Sequence, residues 1–553
     1  MRFIHALVTR VSIPALLLGV FFLAASLSPS LIPRGSAVQG ALGGLSMALG
    51  YLCGRIVELV WDVADMPRLR GRAATAATAV AAAIVLGVLA LSAVASVRWQ
   101  ADLRIRMGLE PAEEVHWVQV VVIVLAVFAI LYAFGVAISL LFRVVRAGLY
   151  RVMPPRRANV LGLVAVALLL FLLTRDRLVP TVFEMLDESY ETAQDLFDRA
   201  PAAPTDPRLP GSPQSLVEWR AMGQPGRDFV MTGPDAGAIA AFTGAPALDP
   251  IRVYVGRANA ATPEARAQLA LGELLRLGAF EREVLIVASP TGTGWLDPGS
   301  HDPVEYMHGG DIATVAVQYS YMQSPLALVF ETQTGLEQAT ATIATIHDYW
   351  KTLPRDDRPR LYIHGLSLGA WSSMHATNLF RLLNDGIDGA FWAGPPFPSA
   401  FWNYVQRARN EGSPWVLPEV GDGSLVRYAS HVADGSQGAP WGDMRLMFLQ
   451  YPSDPIVFYE PFSVWRPPVW MTEPPGHGVS PNLRFLPIVT QFQLAIDMAV
   501  STTAPPGYGH SYYARDYIGP WVEVTAPEGW TQRDTERLQA HCDNGFQQGC
   551  TND

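Results

Sequence analysis

The sequence predicts an α/β fold, a mostly parallel sheet with helices on both faces, preceded by an all-α region of transmembrane helices. Residues 1–175 are dominated by Ala, Val and Leu, whereas the remainder has the mixed composition of a globular domain. After residue 250, short apolar runs alternate with helical patterns, which is typical of a parallel sheet. A Gly-x-Ser-x-Gly motif stands between one such run and the next helical pattern. A chain of 553 residues is also too long to fold around a single hydrophobic core, so we expect separate domains.

The amino-terminal region, residues 1–175, contains five apolar segments, which we expect to form about five transmembrane helices. Most segments reach the roughly 20 residues that a helix needs to cross a membrane, although the second and fifth are short. Arg55 and Glu58 follow the second segment at a spacing that favours an ion pair. The first segment resembles a signal peptide, but further apolar segments follow it, so we expect it to remain as a helix. The segments cover residues 11–31, 38–54, 73–97, 115–142 and 158–174.

The distribution of arginines predicts a multi-pass protein of the cell membrane with a cytoplasmic amino terminus. Arginines dominate the amino terminus and the loops after the second and fourth segments. On the opposite side, the loop after the first segment has one arginine, and acids offset the arginines in the loop after the third segment. Five crossings would leave the rest of the chain outside the cytoplasm, and a miscount by one helix would reverse this. No run of intramembrane acids indicates an ion path. The first group is Arg2, Arg10, Arg68, Arg70, Arg72, Arg143, Arg146, Arg151, Arg156 and Arg157; the second is Arg34, Arg98, Arg104 and Arg106, with Asp102, Glu110, Glu113 and Glu114.

Residues 176–249 are expected to connect the membrane region to the second domain. Apolar and acidic residues alternate at helical spacing over residues 178–200, which predicts an amphipathic helix. Such a helix could lie on the membrane or join two copies into a homo-oligomer, but a packed connector is the favoured interpretation. A linker rich in Pro and Ala follows at residues 201–213.

The second domain is expected to cover residues 250–530, with a carboxy-terminal tail at 531–553. A Trp- and Pro-rich stretch at 394–441 interrupts its pattern and is interpreted as a lid over the carboxyl edge of the sheet. Cys542 and Cys550 in the tail could form a disulfide in an oxidising compartment, or remain free thiols. We predict strands at 251–255, 284–288, 312–319, 361–364, 388–392 and 444–450, and helices at 262–277, 336–350, 370–383 and 486–500.

The motif Gly365-Leu366-Ser367-Leu368-Gly369 predicts a tight strand–turn–helix that exposes one serine. Small residues stand where the turn would bring Cβ atoms into collision. The alternative is an ordinary turn that contains glycine. A serine hydroxyl is a weak nucleophile alone and needs a base that an acid orients.

The candidate acid is Asp454, which follows the predicted strand 444–450 at its carboxyl end. Where a catalytic serine lies on such a strand–turn–helix, the residues follow one another along the chain in the order serine, acid, histidine. Asp454 precedes a proline, so it could instead be a simple turn residue. Asp443, before the strand, is the weaker rival.

The candidate base is His510, which lies in a Gly-flanked loop after the helix predicted at 486–500. His477, before that helix, is the rival; chain order and loop placement favour His510. His364 ends the strand before the serine and is expected to be structural.

When a serine attacks a carbonyl group, the carbonyl oxygen becomes an oxyanion, and two backbone N–H donors are needed to stabilise it. We expect one from Leu368, directly after the serine, and the other from Thr291 or Gly292, in the loop after strand 284–288. The alternative is a plain Gly-rich turn. This loop lacks the lysine and spacing of a phosphate-binding motif. A net charge of -10 argues against a nucleic-acid partner, and the three cysteines form no metal-ligand cluster, so we predict no metal and no cofactor.

These residues resemble the α/β-hydrolase superfamily over residues 250–530. The whole chain resembles a bacterial group of membrane-attached α/β-hydrolases with several helices before the catalytic domain. The resemblance implies Ser367 as nucleophile, Asp454 as acid and His510 as base, with ester-type hydrolysis through an acyl-enzyme. The fold also hosts thioesterases, acyltransferases and peptidases. One departure is the oxyanion loop, which lacks the His-Gly-Gly-Gly of lipases. The resemblance rests on Ser289-Pro290-Thr291-Gly292-Thr293-Gly294-Trp295, Gly365–Gly369, Ser453-Asp454-Pro455 and Gly509-His510.

The resulting hypothesis is a membrane-anchored serine esterase or lipase that acts on a small-molecule or lipid acyl substrate. A tethered site meets lipidic substrates at a high local concentration. An acyltransferase on the same fold is the first alternative. A catalytically idle scaffold or transport component is the second, and the complete set of Ser, Asp and His in the expected order argues against it.

Overall fold

The computed structural model of the protein describes residues 11–111, 115–173, 201–321, 332–377, 385–543, 545 and 548–550. The chain divides into two compact units. The helical unit contains the amino-terminal helices together with residues 460–471 and 478–497, and the sheet unit contains the segments between and after them. The amphipathic helix predicted at 178–200 lies outside the described residues.

The helical unit has a helix at each of the five predicted segments. Helices α2, α3 and α4 are long and apolar enough to cross a membrane, whereas α1 and α5 are shorter apolar helices. The second segment is longer than predicted, because the helix continues past Arg55 and Glu58, which form the expected ion pair at 2.7 Å. These charged residues end the apolar run in the sequence, but they do not end the helix. The helices are α1 (Ile13–Ser26), α2 (Ser36–Val63), α3 (Gly71–Arg106), α4 (Trp117–Leu149) and α5 (Pro155–Leu172).

Glycines on α2 allow α4 to pack closely against it. A Cβ on Gly40 would lie 2.8 Å from the Cβ of Ile123, and one on Gly44 would lie 2.6 Å from the Cβ of Val127. Small residues four apart are typical of helix contacts in membranes, where close packing replaces the hydrophobic effect as the main attraction. We infer that these two glycines determine how near the first halves of α2 and α4 approach.

The sheet unit contains seven parallel strands in the order β1-β3-β2-β4-β5-β7-β6. The inner strands are buried along nearly their whole length, which explains why they appear in the sequence as mostly apolar runs. All six predicted strands are present. The strands are β1 (Ile251–Val255), β2 (Val284–Ser289), β3 (Ile312–Val317), β4 (Arg360–Leu366), β5 (Gly389–Ala393), β6 (Val426–Ala429) and β7 (Arg445–Leu449).

The helices after residue 201 include the four that the sequence predicts there, now α8, α10, α11 and α14. Helix α11 ends at Ala376, and residues 378–384 lie outside the described part of the chain. The helices are α6 (Gly223–Met231), α7 (Ala236–Thr243), α8 (Pro263–Arg276), α9 (Pro298–Met307), α10 (Thr332–Trp350), α11 (Leu368–Ala376), α12 (Ala400–Arg407), α13 (Pro455–Phe458), α14 (Val489–Ala499), α15 (Ala514–Thr525) and α16 (Gln532–His541).

Strand β6 lies inside the stretch 394–441, which the sequence suggested as a lid. It pairs in parallel with β7, with Tyr428 opposite Phe448, and forms one edge of the sheet. This part of the stretch is therefore an edge strand and not a lid. Four residues between Pro- and Gly-rich turns are too short to show a strand pattern in the sequence.

The predicted tail is folded onto the sheet unit by α16 and a disulfide between Cys542 and Cys550. The Cys550 N–H donates to a carboxylate oxygen of Asp302 at 2.9 Å. Asp302 is itself buried and pairs with Arg252 at 2.6 Å. The disulfide-bonded end of the chain thus completes a buried polar cluster.

Helix α14 brings two polar side chains to the loop between α1 and α2, within the helical unit. Asp497 is fully buried, and the Ser30 hydroxyl and the Leu31 N–H each donate to its carboxylate at 2.9 Å. Burial raises the pKa of Asp497 to about 6, against the opposing effect of the Arg34 charge. Gln493 donates to the carbonyl of Ser28 at 3.1 Å. A segment that lies between Asp454 and His510 in the sequence is therefore built into the helical unit.

Candidate active site

The turn from β4 into α11 holds Ser367 in a strained backbone conformation. Its φ of 57° and ψ of -123° lie where residues with a side chain are rare. A Cβ on Gly365 would lie 2.3 Å from the carbonyl carbon of Gly369, and one on Gly369 would lie 2.0 Å from the carbonyl oxygen of Ser289. Only glycine fits at both positions, and the predicted strand–turn–helix is confirmed.

The carboxyl ends of three strands meet at this turn. The Ser367 N–H donates to the carbonyl of Ala393, the last residue of β5, at 2.9 Å. The next residue, Gly394, donates its N–H to the carbonyl of Leu449, the last residue of β7, at 2.9 Å. Loops that leave β4, β5 and β7 therefore start beside one another, although they are far apart in the sequence.

Asp454 lies in the loop after β7 and accepts a hydrogen bond from His510. Its Oδ2 is 2.7 Å from the Nδ1 of His510, and its Oδ1 accepts the Ile456 N–H at 2.8 Å as the cap of α13. The side chain of Asp454 is fully buried. The structure thus brings together the predicted acid and base, which are separated by more than fifty residues in the chain.

The His510 ring lies beside the turn that holds Ser367. A Cβ on Gly394 would be 2.7 Å from the Cε1 of His510. The Nε2 of His510 is buried and has no hydrogen-bond partner in the described part of the chain, so no hydrogen bond joins it to Ser367 here. Ser367 is only 4 % exposed. In unliganded sites of this kind the contact between nucleophile and base is often long.

Tyr512 and Ser453 support Asp454 and the loop of His510, and the sequence predicted no role for either residue. The Tyr512 hydroxyl donates to Oδ2 of Asp454 at 2.9 Å, and the Ser453 hydroxyl accepts the Gly509 N–H at 2.9 Å. Burial, with the adjacent charge of Asp454, raises the pKa of Tyr512 well above its usual value, so the phenol stays a donor. Its position two residues after His510 is the only sequence signal that Tyr512 offers.

The candidate oxyanion donors differ in whether their N–H groups already make a hydrogen bond. Leu368 is the first residue of α11, so its N–H has no acceptor within the helix. The Thr291 N–H donates to the carbonyl of Trp295 at 3.0 Å and is already used. The Gly292 N–H makes no hydrogen bond to the residues that the structure describes. Of the two alternatives in this loop, only Gly292 has an N–H that makes no hydrogen bond among the described residues.

Family models match both parts of the chain. One, described as the alpha/beta-hydrolase family, matches residues 251–538, and another, described as the N-terminus of that family, matches residues 27–234. The chain belongs to the alpha/beta-hydrolase family. No curated protein and no solved structure matched the sequence significantly.

In this alpha/beta-hydrolase the rival residues lie elsewhere or are otherwise engaged. His477 is exposed, and its Nδ1 is 2.7 Å from the Nε2 of His431. Asp443 is exposed and precedes β7, at the opposite end of that strand from Asp454. His364 is buried in β4, where its Nδ1 lies 2.7 Å from the carbonyl of Phe391, and burial lowers its pKa to about 4. These contacts agree with a structural role for His364.

The loop after β2 in the hydrolase is anchored by a side chain of β1 and by one from the residue that follows β3. Tyr254 donates its hydroxyl to the carbonyl of Gly294 at 2.8 Å, and Gln318 donates to the carbonyl of Thr293 at 3.1 Å. Beyond the loop, burial raises the pKa of Asp297 to about 7. Among the described residues there is no group of three or more His, Cys, Asp or Glu side chains arranged to hold a metal ion.

Proposed function

We propose that this alpha/beta-hydrolase cleaves acyl esters, with Ser367 as nucleophile, His510 as general base and Asp454 as the acid that orients it. The observation that carries the proposal is the pairing of His510 through Nδ1 with buried Asp454 at 2.7 Å, which leaves Nε2 without a partner among the described residues. This imidazole lies beside the strained turn of Ser367. Such a pairing is what nucleophilic catalysis by serine requires.

The proposed reaction begins with proton transfer. Because Nδ1 donates its proton to Asp454, Nε2 carries a lone pair and accepts the proton of the Ser367 hydroxyl. The oxygen of Ser367 attacks the acyl carbonyl, and the resulting oxyanion accepts hydrogen bonds from the N–H groups of Leu368 and Gly292. His510 then returns the proton to the leaving alcohol. Water repeats the sequence on the acyl-enzyme, which releases the carboxylic acid and free Ser367.

A lipid or small acyl ester is the proposed substrate class. Three of the amino-terminal helices are long and apolar enough to cross a membrane, and a hydrolase attached in this way meets lipid esters at a high local concentration. The amino-terminal region also matches a family model of its own, described as the N-terminus of the alpha/beta-hydrolase family.

A fluorophosphonate probe tests the proposed chemistry directly. The purified full chain in detergent is incubated with the probe, and the modified residue is identified by mass spectrometry of peptides. We expect the label on Ser367 in the folded protein and none after heat denaturation, because only the folded site activates the hydroxyl. Absence of label from the folded protein, or label on another serine, would contradict the proposal.

We also propose that the sheet unit lies outside the cytoplasmic membrane. Asp497 and Gln493 bind the loop between α1 and α2, which the arginine distribution assigns to the outer side. The chain enters and leaves this segment from the sheet unit, and no helix described after α5 is long and apolar enough to cross a membrane. The Cys542–Cys550 disulfide is also typical of an oxidising compartment. With α1 to α4 crossing, this orientation requires the shorter α5 to cross as well.

Labelling of single cysteines tests this orientation. In a Cys53→Ala background, exposed Glu528 and exposed Arg70 are each replaced by cysteine and treated in spheroplasts with a membrane-impermeant maleimide. We expect Glu528→Cys to react in intact spheroplasts and Arg70→Cys to react only after lysis. The reverse pattern would show that the sheet unit faces the cytoplasm.

A further inference from the structure

A cavity of about 650 Å³ lies between α2 and α4 in the helical unit. Its volume falls within the range of small-molecule sites in proteins, roughly 300–1,000 Å³. Most of its walls are apolar side chains of the two helices, among them Leu45, Leu49, Leu52, Phe134, Ile138 and Leu140. Arg55 of α2 and Arg143 of α4 also line it. The cavity thus combines an apolar body with two guanidinium groups.

The sequence of α2 and α4 explains why the cavity exists. Their first halves are held close by Gly40 and Gly44. Farther along, Tyr51 of α2 packs edge-on against Tyr132 of α4, with ring centroids 5.5 Å apart, and large rings keep helix axes apart. Beyond this pair α4 has Gly135, where an added Cβ would meet nothing within 4 Å. The rings of Tyr51 and Tyr132 keep the helices apart, and Gly135 has no side chain to fill the gap, so space remains between the helices.

The two arginines give this cavity a net positive charge. Arg55 pairs with Glu58 at 2.7 Å, and its side chain remains 51 % exposed. Arg143 is exposed and makes no ion pair within the described ranges of the chain. Both residues follow the apolar portions of their helices, on the side where arginines are concentrated. Guanidinium groups at the headgroup level of a membrane are suited to bind phosphate.

We propose that the helical unit binds an anionic glycerophospholipid between α2 and α4. The phosphate is held by Arg143 and Arg55, and an acyl chain lies along the apolar wall that passes Gly135. The lipid comes from the leaflet on the arginine-rich side, where juxtamembrane basic residues meet anionic headgroups. The bound lipid fills the space that opens between the two helices beyond the contact of Tyr51 with Tyr132, and it therefore stabilises the helical unit. The site is separate from Ser367 and does not depend on the proposed hydrolysis.

The test uses short-chain lipids and thermal unfolding of the purified full chain in a neutral detergent. We expect dioctanoyl phosphatidylglycerol to raise the Tm, because ligands of the folded state stabilise it. Dioctanoyl phosphatidylcholine, with the same chains and no net charge, should raise it much less. Glycerol phosphate alone should have no effect, since it lacks the chains that fill the cavity.

Two variants distinguish this site from general attraction of lipid to the protein. Arg143→Gln is expected to weaken the apparent affinity for phosphatidylglycerol about tenfold, as a charge-assisted bond to phosphate is lost. Arg146→Gln is the matched control: it removes the same charge one turn away, but Arg146 packs on the ring of Tyr150, 4.7 Å from its centroid, instead of lining the cavity. Arg146→Gln should retain the affinity of the wild type.

Gly135→Leu tests the apolar part of the site without changing the charge. The larger side chain should occupy the cavity and lower the affinity for phosphatidylglycerol, and the lipid-free Tm and the elution volume in gel filtration show whether the variant is folded. Equal Tm shifts from both lipids, or equal losses in Arg143→Gln and Arg146→Gln, would overturn the proposal. So would a dimer that dissociates when Gly135 is enlarged while lipid has no effect, since a second copy would then fill the space.

Discussion

Replacing Ser367 by alanine should lower kcat/KM for an activated ester such as p-nitrophenyl butyrate by at least about a thousandfold. The substitution removes the oxygen that forms the acyl-enzyme, while the hydrogen bonds of the backbone N–H and carbonyl of residue 367 remain. Alanine must adopt the same positive φ as serine, so the strain at this position is little changed and the fold should persist. Initial rates and the Tm of the purified full chain check both statements.

Ser372→Ala is the matched control for this variant. Ser372 is a buried serine in the same helix, α11, and its hydroxyl donates to the carbonyl of Gly369 at 3.2 Å. Its loss removes one weak hydrogen bond and no reacting group, so activity should stay within about threefold of the wild type. If Ser367→Ala retained wild-type activity, or if Ser372→Ala lost as much, Ser367 could not be the nucleophile.

Asp454→Asn should lower kcat by about three to four orders of magnitude, although the side chain keeps its size. Asp454 accepts the Nδ1 proton of His510 at 2.7 Å and the Tyr512 hydroxyl at 2.9 Å on one oxygen, while its other oxygen caps α13. An asparagine that keeps the cap presents its NH2 group to His510. The ring must then carry its proton on Nε2, which can no longer accept the proton of Ser367. Steady-state kinetics against pH measure the loss.

Two variants separate this effect from a general disturbance of the site. Tyr512→Phe removes only one of the bonds to Asp454, and we expect a loss of about tenfold, which corresponds to one buried hydrogen bond. His477→Ala should leave the rate unchanged, because His477 is exposed and bonds His431. If His477→Ala were as damaging as Asp454→Asn, the base would be His477 and our assignment of His510 would be wrong.

Much of the sheet and the turn at Ser367 could be predicted from the sequence, because both depend on neighbouring residues. A strand buried on both faces is mostly apolar, so the predicted strands appear as short apolar runs such as Val284 to Ser289. The turn needs glycine at 365 and 369, where a Cβ would meet the backbone at 2.3 and 2.0 Å. Asp454 and His510 were found from their order in the chain and their loops after regular elements.

Other features depend on contacts between segments that are far apart in the sequence. Tyr512 binds Asp454 only because the loop of His510 reaches the end of β7, and no local pattern indicates this. The choice of Gly292 over Thr291 rests on one hydrogen bond, from Thr291 to the carbonyl of Trp295. Strand β6 forms beside β7 although its four residues show no strand signal of their own.

The same distinction holds in the helical unit. By itself the sequence determined the positions of the apolar helices, the Gly-x-Ser-x-Gly turn and the candidate triad, since composition and spacing over a few residues encode backbone geometry. Only the tertiary structure decided that α14 brings Asp497 to Ser30 and that Arg55 and Arg143 line one cavity. Contacts between residues far apart in the chain depend on how whole elements pack, and packing is decided by all of their side chains together.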